Sequence, residues 1–225
     1  MGMKKSILSI LIGLQLSACA PQGVYYDQQT TSTQSVKAWS LSDFPLTVYV
    51  PTEMNAYRVA IENSAQTWEA AFGRKVFNFI FDNPAYPNTQ WTGTCQSMGD
   101  NYFGLFKLNN WNIANDCNSN SVGFVSNDVL AFTGTKSQGK IIHADILFNF
   151  KYFSFGDVEQ NPTDTQLVDL QSVLTHELGH FLGLGHIETS VDPISIMNPS
   201  IRKTQSKRYL SNSDIVRVRQ LYNFN

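Results

Sequence analysis

The chain has 225 residues, of which 42% are hydrophobic and only 15% charged, with a formal net charge of −2. That length suits one domain with appendages. The nearly balanced charge makes no electrostatic case for a polyanion, so nucleic acid is not expected as a partner.

At the N-terminus, Lys4 and Lys5 precede a short apolar stretch from Ile7 to Leu16. It falls well short of the roughly 20 residues that span a bilayer, so it reads as a targeting segment. It ends in Leu16-Ser17-Ala18-Cys19, which resembles a bacterial lipoprotein signal, with cleavage before Cys19 and a lipid placed on that cysteine. Met1-Gly2 with Ser6 also fits an N-myristoylation pattern, but the apolar run and the small residues before Cys19 weigh against it. The expected division is residues 1–18 as signal peptide, 19–43 as a Gln-, Ser- and Thr-rich tether, and 44–225 as the folded domain. The expected location is the bacterial cell envelope, with the lipid in the membrane. In a Gram-negative cell, Ala20 after the lipid cysteine would permit transfer to the outer membrane, leaving the domain in the periplasm or outside.

Along the domain, Leu46 to Val50 alternates like a strand. Tyr57, Ile61, Ala65, Trp68 and Phe72 recur at helical spacing, and Gly73 can end that helix. Val76 to Phe81 reads as a second strand. Residues 100–120 are Asn-rich and show little periodicity. Val122 to Val125 and Leu130 to Thr133 are short strand candidates, and Ile141 to Phe150 is the longest. Asp164 or Thr165 can cap a following helix that runs to about Leu182, and Ser211 or Ser213 can cap the last one. This order suggests an α+β or α/β sandwich around a twisted, mostly parallel sheet. Cys95 and Cys117 remain once Cys19 is assigned to the signal. In an exported chain such thiols are expected to pair, closing a loop of about twenty residues worth roughly 3 kcal/mol. Free thiols, or one acting on a metal, are the alternatives.

Residues 176–186 read HELGHFLGLGH. His176 and His180 are one helical turn apart on the same face. Glu177 sits beside them. Gly183 can take a left-handed conformation that turns the chain and brings back His186. Three imidazoles leave the fourth position of a tetrahedral zinc ion open to water, as a catalytic site requires. A bare HExxH occurs by chance in unrelated proteins; the longer pattern with its backbone requirement is far more specific.

This pattern resembles that of the metzincin metallopeptidases. Ser195-Ile196-Met197-Asn198-Pro199 follows, and Met197 falls where the family carries its methionine turn. Within the metzincins the chain is most similar to a matrixin, on Asp169 to Val173 leading into His176, on His143-Ala144-Asp145-Ile146, and on Leu210-Ser211 through Leu221-Tyr222. The resemblance implies an α+β catalytic domain with a mixed sheet, mostly parallel with one antiparallel edge strand, together with an active-site helix and a C-terminal helix. It implies a zinc endopeptidase in which His176, His180 and His186 hold one Zn2+ and Glu177 is the general base for metal-activated water. An extended peptide or protein substrate would pair with the antiparallel strand, for which Ile141 to Phe150 is the best match. His143, Ala144, Asp145 and Pro199 are the accompanying candidates for substrate contact.

The segment after Met197 carries Arg202, Lys203, Lys207 and Arg208, a basic stretch that would favour acidic residues near the cut, or simply a solvated loop. A second, structural zinc is not expected, because only His143 lies outside the motif. Ca2+ sites occur in the family, but no compact acidic loop marks one. The expected partners are the substrate and, through the lipid, a membrane, with the domain a monomer. Two other functions compete: a binding lipoprotein that keeps the metal without turnover, and a hydrolase of cell-wall peptides or amides. Retention of Glu177 argues against the first.

Overall fold

A computed structural model describes residues 37–82, 102–111 and 126–224, together with the backbone of 24–25. Cys19, Cys95, Cys117 and the strand expected at 122–125 lie outside the described residues. The first element is a short strand, β1 (Val24–Tyr25). It is followed by β2 (Leu46–Val50), helix α1 (Arg58–Phe72) and β3 (Phe77–Phe81). Next come β4 (Phe103–Leu108), β5 (Ala131–Gln138) and β6 (Lys140–Asn149). Short strands β7 (Ser154–Gly156) and β8 (Leu167–Asp169) lead into helix α2 (Leu170–Phe181). A two-residue strand, β9 (Ser200–Ile201), and helix α3 (Asn212–Leu221) complete the order.

The main sheet has the order β3-β2-β4-β6-β5. All neighbours in it are parallel except β5 and β6, which form an antiparallel hairpin through Gly139. The architecture is therefore the α+β arrangement expected, with one antiparallel edge strand. That edge is β5, however, and not residues 141–150. β6 lies between β4 and β5 and is bonded on both sides. Burial explains the assignment. Ile141 and residues 143–149 are buried, as befits an interior strand covered on both faces. In β5, Thr135 to Gln138 are polar and exposed, as befits a sheet margin.

β4 escaped the sequence reading for a related reason. Gly104, Leu105 and Phe106 are buried in succession, so the strand shows no alternation.

Helices α1 and α2 cover one face of the sheet over a core that includes Trp68, Phe77, Phe148 and Phe181. Phe106, Leu108, Trp111, Val129 and Leu147 form a smaller cluster. Trp39 is in the main core at 5% exposure, so the folded body begins ahead of residue 44. Gly73 ends α1 in the left-handed region, as expected. The cap of α2 is Asp169, whose carboxylate accepts from Ser172 N; Asp164 and Thr165 stand before β8 instead. Ser211 caps α3 in a reciprocal box with Asp214.

Among the described residues, no helix is long and apolar enough to cross a membrane.

Candidate metal centre

The site grows from α2, which is tied at both ends. At its start, Asp169 is fully buried and accepts from Ser172 N at 2.8 Å, Ser172 Oγ at 2.6 Å and Arg208 Nε at 2.9 Å. The Arg208 guanidinium also reaches Asp157 at 2.7 Å and Glu159 at 3.0 Å. At its end, carbonyls that the helix itself leaves unpaired receive side-chain donors. Trp39 Nε1 bonds to Phe181 O at 2.7 Å and the Tyr222 hydroxyl to Leu182 O at 2.8 Å.

The chain then turns at Gly183, which has φ +94°; a Cβ there would also collide with Lys37 O. The turn delivers His186, and Arg217 Nη2 steadies it through Gly185 O at 2.6 Å.

His176, His180 and His186 converge as the motif predicts. Nε2 of His180 lies 2.9 Å from Nε2 of His176 and 3.2 Å from Nε2 of His186. On the far side of two of the rings, His176 Nδ1 is 2.7 Å from Ile196 O, and His180 Nδ1 is 2.7 Å from Leu184 O. A carbonyl only accepts, so these Nδ1 atoms carry the protons and the Nε2 lone pairs face inward.

All three rings are held neutral. Burial drives His176 well below its ordinary 6.5, reinforced by the other two imidazoles. Burial, and then His186, bring His180 to about 3. Burial, and then Arg217, bring His186 to about 4.

Neutral nitrogens with convergent lone pairs repel one another unless a cation lies between them. Ligand nitrogens about 2.0–2.1 Å from a tetrahedral zinc stand about 3.3–3.4 Å apart, close to the spacings seen. The donor set therefore fits zinc, with carbonyls orienting two of its ligands.

Glu177 is buried next to this cluster, and Thr133 Oγ1 lies 2.5 Å from its Oε2. Met197 is buried beneath α2. A Cβ on Gly179 would overlap Met197 Sδ and the Trp68 ring, so glycine permits this close packing. The turn around Met197 is clamped by Asp214, which accepts from Ser195 Oγ at 2.5 Å, Ile196 N at 2.9 Å and Ser211 N at 2.9 Å. Pro199 follows, half-buried, just before β9.

The remaining substrate candidates lie elsewhere. His143, Ala144 and Asp145 are 3%, 0% and 1% exposed in the interior strand β6. His143 Nε2 is 2.9 Å from Asp145 Oδ2, and Asp145 Oδ1 accepts from Gly104 N at 2.9 Å. These residues stitch β6 to β4 and do not line the sheet margin.

The basic stretch is mostly committed as well. Arg208 serves three carboxylates and Lys203 bonds Gln166, while Lys207 Nζ donates to Asn198 Oδ1 at 2.5 Å. Thr133 was not singled out from the sequence as part of the site. Arg208 was read only within the basic stretch, and Asp214 belongs to the Ser211-x-x-Asp214 capping pattern of α3; only the fold shows where each of the three acts.

The matrixin family pattern (Peptidase_M10) matches residues 91–223, more than half of the chain. The chain belongs to the matrixin family. It is 47% identical over 70 residues to Metalloendoproteinase 1 of Glycine max, covering 31% of this chain and 22% of that protein. It is 44% identical over 70 residues to Metalloendoproteinase 2-MMP of Arabidopsis thaliana, covering 31% of this chain and 18% of that one. The matched segment thus spans only about a fifth of the length of these curated relatives. A solved structure of high choriolytic enzyme 1, a hatching enzyme zinc-protease of Oryzias latipes, aligns over 87% of this chain and 98% of that one, at 14% identity and a TM-score of 0.36.

Proposed function

We propose that this chain is a zinc endopeptidase. The observation that carries the proposal is the convergence of three neutral imidazoles through Nε2, with the Glu177 carboxylate one residue along the same helix. His176, His180 and His186 would hold a zinc ion, which would supply Lewis acidity to water and to the scissile carbonyl. Glu177 takes the proton of the attacking water onto its carboxylate and returns it to the leaving amine nitrogen. The Ile196 and Leu184 carbonyls fix the tautomers of His176 and His180.

The substrate is an extended peptide that adds to the outer edge of β5, whose inner side is already paired with β6. The proposal places the enzyme as an exported monomer, anchored by lipid at Cys19, with Cys95 and Cys117 joined.

The test uses the full chain, loaded with zinc and incubated with a proteome-derived peptide library whose new termini are sequenced. Cleavage is expected, abolished by a chelator and restored by zinc. Glu177→Ala is expected to keep one zinc per chain while losing about 10²- to 10⁴-fold in rate. Chelator-resistant hydrolysis, or equal turnover by Glu177→Ala, would overturn the assignment.

A further inference from the structure

Thr133 stands on the inner half of β5 with its side chain only 1% exposed. Its hydroxyl lies 2.5 Å from Glu177 Oε2 and 3.1 Å from the Glu177 carbonyl oxygen. A threonine hydroxyl has one proton to donate. The shorter separation falls in the range of about 2.5–2.7 Å for an O–H donor on an ionised oxygen, so the proton is directed at the carboxylate.

Three hydroxyls on helices α1 and α2 behave differently. Ser64, Thr67 and Thr175 each turn back on a backbone carbonyl four residues earlier in their own helix. Thr133 reaches across from a different element and approaches the side-chain oxygen more closely than the carbonyl. Its β-branched side chain has few χ1 choices, and its backbone position is fixed by pairing with Ile146 of β6. The sheet therefore anchors the donor, independently of α2.

A glutamate side chain has several rotatable bonds, and burial alone does not select one orientation of its carboxylate. We propose that Thr133 is a positioning residue for Glu177. Its hydroxyl, held by β5, fixes the carboxylate in the orientation in which it accepts and returns the proton. It also ties that carboxylate to the strand along which the substrate lies. This role rests on the endopeptidase reading above.

Thr133→Val keeps the shape and branching and removes the hydroxyl, whereas Thr133→Ser keeps the hydroxyl. In the zinc-loaded full chain, Thr133→Val is expected to lower kcat about 10- to 100-fold, the loss of one hydrogen bond to a charged group, with KM changed by less than about twofold. Thr133→Ser is expected to stay within about threefold of wild type in kcat. Zinc stoichiometry should be unchanged in both, and a crystal structure of zinc-loaded Thr133→Val should show the Glu177 carboxylate turned away from its present orientation.

Equal losses in the two variants, an undiminished kcat in Thr133→Val, or an unmoved carboxylate would each overturn the role. If wild type cleaves no peptide, the endopeptidase reading falls, and the carboxylate position in Thr133→Val still decides the role of Thr133. If the valine variant does not fold, Thr133→Ala compared with Thr133→Ser carries the same contrast.

Discussion

Beneath the triad, buried charges are matched to donors. Asp169 and Asp214 are both fully buried, and each accepts several hydrogen bonds, Asp169 from Ser172 and Arg208, Asp214 from the Met197 turn and the start of α3. In the triad itself, three imidazoles are buried with like facing like, two of the Nε2 spacings being 2.9 and 3.2 Å. The first region is built to be satisfied by the protein alone. The second gathers three ligand nitrogens where a cation would complete it. The saturated carboxylates fix the helix and the turn, and these hold the three imidazoles together. Three imidazoles lowered together by burial in one cluster are what a functional site can show.

The strongest way to break this contrast is to remove the cation from the scaffold. Arg208→Ala leaves Asp169 buried beside Ser172 without its ion pair, and deprives Asp157 and Glu159 of theirs. Stranding a buried charge costs about 3–5 kcal/mol. Urea denaturation of the metal-loaded protein should show a loss of that size. A loss below about 1 kcal/mol would mean that Arg208 contributes no more than a solvent-exposed ion pair does.

Acid probes the triad from the other side. The folded-state pKa values lie below the ordinary 6.5, at about 3 for His180 and about 4 for His186, with His176 also shifted down. As pH falls, the unfolded chain takes up protons before the folded one does. The metal-free protein is therefore expected to hold its full stability above about pH 6.5 and to lose it progressively toward about pH 3–4. At pH 5 the loss is on the order of 2 kcal/mol for each of His180 and His186, with His176 adding to it. Denaturation midpoints at pH 7 and pH 5 measure it, and equal midpoints would show that the rings are not held neutral.

What could be read from sequence follows the same division. The triad was legible because its geometry is local: His176 and His180 share a helix face, and Gly183 supplies the turn to His186. Helix α1 and β2 were legible because their apolar periodicity matches one-sided burial. β4 was not, because a strand covered on both faces loses its alternation. The edge strand was misplaced because the long apolar run of β6 marks an interior strand, while β5 carries a polar second half. The partners that Thr133, Arg208 and Asp214 take at the site were illegible for another reason. Thr133 lies 44 residues from Glu177, Arg208 lies 39 from Asp169, and Asp214 lies 18 from Ile196. Such long-range pairing leaves no mark on the local sequence.

Packing between the two regions gives a smaller effect. Gly179 lets α2 settle onto Met197 and Trp68, and a methyl group there would overlap both. Gly179→Ala gains helix propensity of about 1 kcal/mol but overpacks the contact by about 1–3 kcal/mol. The expected net is a loss of up to about 2 kcal/mol. Zinc affinity should fall as well, because the displaced Met197 turn carries the Ile196 carbonyl that orients His176. A stabilised variant with unchanged affinity would show that the turn does not transmit its position to the ring.

The smallest effect is expected where matched charges lie in water. Lys140 Nζ is 2.7 Å from Asp43 Oδ2, as short as many bonds in the buried scaffold, but the two side chains are 46% and 29% exposed. Solvent screens such a pair and ordering the lysine offsets much of the gain, so Lys140→Ala should cost no more than about 1 kcal/mol and leave zinc binding unchanged. Distance alone would rank this pair beside Arg208 and Asp157, also 2.7 Å apart. Burial ranks them far apart, because Arg208 is 11% exposed and also bonds a carboxylate with no exposure at all. Denaturation of Lys140→Ala and Arg208→Ala under one set of conditions decides between the two rankings. Equal losses would show that proximity of charge, and not its removal from water, is what holds the scaffold under the triad.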